Sequence, residues 1–141
     1  MLAMKPYEVI ANPSDVGIVA YGKTLEEAFE HSAKGMFSLL ADPKSVQPKT
    51  SFNITINAET REELLVNWLN ELLYLEDSQR LLFKNFKIQS LSQTELKAEV
   101  KGEKIDPSRH QILRSIKAAT YNQLEIKERE KGWQVTVVFD V

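Results

Sequence analysis

Apolar and polar positions along the chain alternate, shift to a helical period and alternate again. "QVTVVFDV", at positions 134–141, sets Val135, Val137, Phe139 and Val141 against Gln134, Thr136, Val138 and Asp140, the period-2 signature of a strand. Near the other end, "YEVIANPSDVGIVAYG" reads as two extended pieces around a turn at Asn12, Pro13, Ser14 and Asp15. Pro13 fixes φ there, and the short polar side chains bond locally to backbone. "TLEEAFEHSAKGMFSLLAD" then recurs at helical spacing through Leu25, Ala28, Phe29, Ala33, Met36, Phe37 and Leu40, with Thr24 and Glu27 spaced as a capping box. The device is repeated once. "SFNITINA" alternates through Phe52, Ile54 and Ile56, and "TREELLVNWLNELLYLED" pairs Thr60 with Glu63 ahead of a stripe of Leu64, Leu65, Trp68, Leu69, Leu72 and Leu75.

After the second helix the rhythm changes. "FKNFKIQSLSQTELKAEVKGEKI" predicts a hairpin with Leu96, Ala98 and Val100 on one side. "DPSRHQ" opens a helical turn, with Asp106 as cap and Pro107 at the first position. From Ile112 to Tyr121 the period fits helix and strand alike, whereas "LEIKERE" pairs through a short turn at Lys131 and Gly132 with "WQVTVVFDV". Together these elements predict an α/β (α+β) sandwich as a single domain spanning 1–141. It has a mixed or antiparallel sheet, with two main amphipathic helices packed on one face.

Composition narrows the functional classes. A net charge of −2 provides no global basic field for autonomous nucleic-acid binding. The absence of cysteine excludes disulfides, thiolate metal sites and a Cys nucleophile, and fits a reducing, cytoplasmic location. No apolar run approaches the roughly 18 residues of a membrane span, and "MLAMKPYEVI" has no signal-peptide core. Phosphate-cradling glycine loops, H-E-x-x-H, G-x-S-x-G and EF-hand loops are all missing.

Few residues then remain to carry chemistry. His31 reads as a surface residue, and His110 as a cap or surface residue. Asn67, Asn70 and Glu71 beside Trp68 predict a structural hydrogen-bond network along one edge of the second helix. The carboxylates are less ordinary, because Asp140 adjoins the α-carboxylate of Val141 at the end of an apolar strand. Two carboxylates near 4 Å repel by roughly 4 kcal/mol at an effective dielectric near 20. Solvation relieves that repulsion, and so does a hard divalent cation, which takes several oxygen ligands. A cation would need further ligands, and Asp15, at a turn before a strand, is the best placed. A metal-dependent hydrolase built on Asp15 and Asp140 lacks an evident general base.

"SDVGIVAYGKTLEEAFEHSAKGMFSLLAD", "LLVNWLNELLYLEDSQRLLF", "VKGEKIDPSRH", "IKAATYNQLEI" and "GWQVTVVFDV" together resemble the archease family, in order and over nearly the whole chain. The resemblance implies an accessory protein rather than an enzyme. Its partner is an RtcB-type RNA ligase, whose guanylylation and multiple turnover it promotes in tRNA splicing or RNA repair. The alternative it implies is a chaperone-like modulator of a tRNA cytosine methyltransferase. It also implies a divalent metal ion, calcium first and magnesium or manganese as alternatives, held by Asp15, Asp140 and Val141. The chain departs from the family pattern in two places. Asn12, Pro13 and Ser14 precede Asp15 where the family usually reads H-T-A, and Asn122 follows Thr120 and Tyr121 where it usually has His.

Overall fold

The computed structural model describes residues 5–11 and 15–141, so Asn12, Pro13 and Ser14 of the expected first turn lie outside the described residues. Strands β1 (Tyr7–Ala11) and β2 (Val16–Gly22) pair antiparallel. Helix α1 (Leu25–Leu40), β3 (Thr50–Asn57) and α2 (Arg61–Gln79) follow. Then come β4 (Leu81–Leu91), β5 (Glu95–Lys104), β6 (Ala118–Arg129) and β7 (Gly132–Asp140).

Both helices start as their spacing predicts. The Thr24 and Thr60 hydroxyls accept from the backbone N–H of Glu27 and Glu63, each at 3.1 Å. The Glu27 and Glu63 carboxylates reach past the cap to the preceding residue, accepting from the N–H of Lys23 at 3.1 Å and of Glu59 at 3.3 Å. Two otherwise orphaned donors are thereby satisfied at each helix start.

The fold is α+β, and every strand pairing is antiparallel. The strands divide between two sheets, one in the order β1-β2-β7-β6 and one in the order β3-β5-β4. Each strand–cap–helix unit begins in a different sheet. Helix α1 packs on β2 and β7 of the first sheet and on β4 of the second, while α2 packs on β6 and on all three strands of the second. The helices therefore couple the sheets, and a single buried cluster runs through all of them. Trp68, fully buried on α2, donates its indole N–H to the Phe29 carbonyl on α1 at 3.1 Å and meets Phe86 edge-on.

The ambiguous stretch resolves as an irregular connection that becomes strand at Ala118. Of the apolar residues in the connection 112–117 only Ile116 reaches the core; Ile112 and Leu113 remain exposed, so neither period has a buried face to stabilise it. The connection is tied down instead at Leu113, whose N–H donates to the Leu40 carbonyl at 2.8 Å.

His110 is not a surface residue. It is 4% exposed and sits against Glu103, itself 5% exposed. Nδ1 of His110 accepts from the Asp106 N–H at 2.8 Å, so the ring proton resides on Nε2, 3.0 Å from both Glu103 Oε2 and the Ser45 carbonyl. Arg109 donates to the other Glu103 oxygen, and the Gln47 N–H reaches Oε2 at 2.7 Å. Lys49 stands 3.8 Å away. Next to Glu103, Gly102 lets β5 close against β4, since a Cβ there would lie 1.9 Å from the Leu82 carbonyl oxygen. Glu103 thus pins two loops, the one after α1 and the one after β5, to the end of a strand.

Burial alone would raise the Glu103 pKa. The Arg109 guanidinium, the Gln47 N–H and His110 outweigh it and hold the carboxyl at about 2, below its ordinary 4.5. A depressed carboxylate contributes stability above its unfolded-state pKa and loses it as pH falls through the folded value. Unfolding free energy from urea titrations should therefore drop by about 2–3 kcal/mol between pH 4.5 and 2 through this residue. Glu103→Gln should be less stable at neutral pH and should lack that component of the acid slope. An unchanged slope in the variant would show that Glu103 is not the group that titrates.

Candidate functional site

The β2–β7 pairing sets Val16 opposite Phe139, Ile18 opposite Val137 and Ala20 opposite Val135, all six side chains in the core. The pairing ends at Val16 and Phe139, and continuing its register by one step sets Asp15 across from Asp140. Continuing the alternation puts both side chains on the face opposite that core set. Residues directly opposed in an antiparallel pair have Cβ atoms roughly 4.5–5.5 Å apart. Asp15 is half-buried, whereas Asp140 and Val141 are exposed.

Val141 therefore departs from the alternation that placed it with the core residues: it lies past the end of β7 and is 47% exposed. On the other side of β7, Ala118 pairs with Asp140, and the Lys117 N–H donates to the Asp140 carbonyl at 2.7 Å. The backbone of Asp140 is fixed on that flank while its carboxylate faces water.

Among the described residues no group of three or more His, Cys, Asp or Glu side chains gathers as a metal site. A cation at this edge would rest on two side-chain carboxylates and the α-carboxylate of Val141, with water completing the shell. That all-oxygen, water-accessible donor set fits a hard divalent ion, and magnesium in particular retains several waters.

Neighbouring polar groups are occupied structurally. The Asn70 amide bridges α2 to β6, its Oδ1 accepting from the Ala119 N–H at 2.7 Å and its Nδ2 donating to the Ala119 carbonyl at 3.4 Å. Asn67 Nδ2 donates to the Asn57 carbonyl at 3.3 Å. Glu71 takes no part in these bonds. His31 is half-buried rather than on the surface, and its Nδ1 donates to the Tyr21 carbonyl at 2.5 Å. Thr120 donates its hydroxyl to the Val138 carbonyl at 2.8 Å. Immediately beyond, the β6–β7 register breaks between Thr120 and Glu125, with Gln123 at φ 58°, and the bulge turns Tyr121 out to solvent.

A second feature escaped the sequence reading. A cleft of about 550 Å³ opens between the outer half of α2 and the 112–117 connection, with Tyr74, Glu76, Arg80, Ile112, Arg114 and Lys117 among its walls. Burial there pushes the Glu76 carboxyl up, and Asp77 adds to the effect, against Arg80 at 3.9 Å. The one sequence signal for this cleft is charge: residues 107–124 contain Arg109, Arg114 and Lys117 and no Asp or Glu.

Residues 7–141 match the model of the Archease protein family (MTH1598/TM1083). The protein archease of Methanosarcina mazei is 38% identical over 141 residues, covering 97% of each chain. That of Pyrococcus furiosus is 35% identical and matched over 98% of this chain and 100% of its own. Among solved structures, a Methanobacterium thermoautotrophicum protein superposes with a TM-score of 0.81 at 31% identity, over 98% of this chain and 100% of its own. A Thermotoga maritima archease, described as a possible chaperone, shares the fold with a TM-score of 0.63 at 22% identity, over 100% of this chain and 99% of its own. The chain belongs to the archease family.

Proposed function

We propose that this protein is a metal-binding cofactor of an RtcB-type RNA ligase, promoting the ligase's guanylylation and multiple turnover. The observation that supports this reading most is the Val16–Phe139 register, which sets Asp15 across from Asp140 at the end of a strand pair. Among the described residues neither carboxylate has a hydrogen-bond or ion-pair partner, and Asp140 is exposed, available to an ion and to a second macromolecule. A divalent cation held there would supply positive charge against a phosphate undergoing transfer. The chain's own contribution is to hold Asp140 by its backbone against β6 and to leave its side chain exposed at the end of β7.

Asp140→Ala should abolish stimulation of ligase guanylylation at limiting metal and leave thermal unfolding within about 0.5 kcal/mol of wild type, because the side chain is exposed. Isothermal titration with calcium or manganese should show the same variant losing the bound ion. Full stimulation by the variant at low metal would remove the metal edge from the mechanism.

Appending residues after Val141 converts its α-carboxylate to a neutral amide carbonyl and leaves the strand pairing intact. Such an extension should weaken metal binding and stimulation with little change in stability, measured against an N-terminally extended control. Equal activity of the two forms would show that the α-carboxylate is not a ligand. Stimulation of a tRNA cytosine methyltransferase, with none of the ligase, would assign the protein to that partner instead.

A further inference from the structure

Six large hydrophobic side chains stand exposed among the described residues. Five of them, Tyr74, Ile112, Leu113, Tyr121 and Val141, lie on the outer half of α2, on the stretch from the connection into β6, or just past β7. Tyr74 is 62% exposed and Ile112 39%, and the two line the same cleft. Exposed apolar groups that share a cleft mark interaction sites more often than isolated ones do.

The charges at this cleft are equally uneven. Arg80 is engaged by Glu76. Arg114 and Lys117 have no carboxylate within ion-pair distance among the described residues. A tyrosine and an arginine beside an aliphatic wall are the side chains that most often dominate protein interfaces.

Two cation-binding classes of partner differ in what else they need. A nucleic-acid backbone favours a continuous basic track with aromatic platforms. Here Glu76 and Asp77 line the same cleft, Asp15 and Asp140 lie at the nearby sheet end, and the whole chain carries −2. Ile112 offers an apolar seat rather than a stacking surface. A protein segment fits better, one that buries an apolar side chain between Tyr74 and Ile112 and sets carboxylates against Arg114 and Lys117.

We infer that the cleft between α2 and the 112–117 connection docks an acidic, apolar-anchored segment of the partner enzyme. The inference rests on the proposed function in taking that partner to be the RNA ligase. The geometry gives the docking a purpose, since the connection that forms one wall ends at Lys117, whose N–H holds the Asp140 carbonyl. A segment seated in the cleft would bring the Asp15 and Asp140 edge to the partner beside it.

The test titrates fluorescently labelled chain with a purified RtcB-type ligase in the presence of EDTA, so that no metal contributes to binding. Tyr74→Ala and Arg114→Glu are compared with wild type and with Lys127→Glu, an exposed charge reversal on β6 outside the cleft. All three substituted positions are exposed, and circular dichroism and thermal melts confirm folding. Each cleft variant should raise Kd about tenfold or more. Stimulation of guanylylation, measured with metal, should return to the wild-type rate once the variant saturates the ligase. Lys127→Glu should bind as wild type.

If both cleft variants bind within about twofold of wild type while stimulation persists, the docking site is wrong and the proposed function stands. If Arg114→Glu instead loses binding to an RNA oligonucleotide with a 3′-phosphate, ligase affinity being unchanged, the cleft is an RNA site and the inference is overturned. If wild type neither binds nor stimulates the ligase, the proposed function falls and this docking falls with it.

Discussion

The register between β2 and β7 is the constraint on which the rest of the molecule depends. Side chains alternate with period 2, so a slip of one residue would carry Val16, Ile18 and Ala20 away from the core together with their partners Phe139, Val137 and Val135. Gly17 helps to prevent that slip. A Cβ at this position would come within 2.6 Å of the Val137 carbonyl oxygen, closer than any side chain can approach. The same register that buries six apolar side chains brings Asp15 and Asp140 to one edge. Core and candidate edge are therefore set by one choice of pairing.

The helices transmit that choice to the second sheet. Trp68 ties α2 to α1 through the Phe29 carbonyl, and Asn70 ties α2 to β6 through both backbone groups of Ala119. Beside Ala119, Ala118 pairs with Asp140. A polar contact on α2 is thus one residue removed from the pairing that fixes the carboxylate edge. In a packed interior such contacts are costly to leave half-made, so they narrow the positions the helix can adopt against the strand.

How much of this could be read from the sequence depended on whether the signal was local. Both cap pairs, both helical stripes, the two hairpins and the turn at Lys131 and Gly132 were legible because each is fixed by residues a few positions apart. The division into two sheets was not, since it is decided by which strand each helix packs against. His110 shows the same limit at a single residue: nothing near it reveals that Glu103, seven positions earlier, and Ser45, across the fold, will enclose it. The connection 112–117 looked regular because its apolar residues are well spaced, yet only Ile116 has a core to enter. At the candidate site the acidic end of β7 stood out by its chemistry, and the position of Asp15 followed from strand pairing. The cleft left only a gap in acidic residues as its trace.

Two groups of charges in this protein are handled in opposite ways, and the contrast bears on what each is for. Glu103 is surrounded by an arginine, a lysine, a histidine and a backbone N–H, all supplied by the chain itself, and it acts as a strut between loops. Asp106 next to it is likewise satisfied, its carboxyl held below the ordinary range by the Ser108 hydroxyl and N–H. At the Asp140 edge, and at Arg114 and Lys117, the described residues supply no such partners. A fold able to neutralise Glu103 so completely leaves those charges facing water on adjoining surfaces, anions along one and cations along the other. Complementary groups from outside would then satisfy each in turn, the carboxylates with a cation and the cleft with a segment of another chain. Electrostatics of this kind governs recognition and orientation more than stability, and here it would fix which edge of the protein faces its partner.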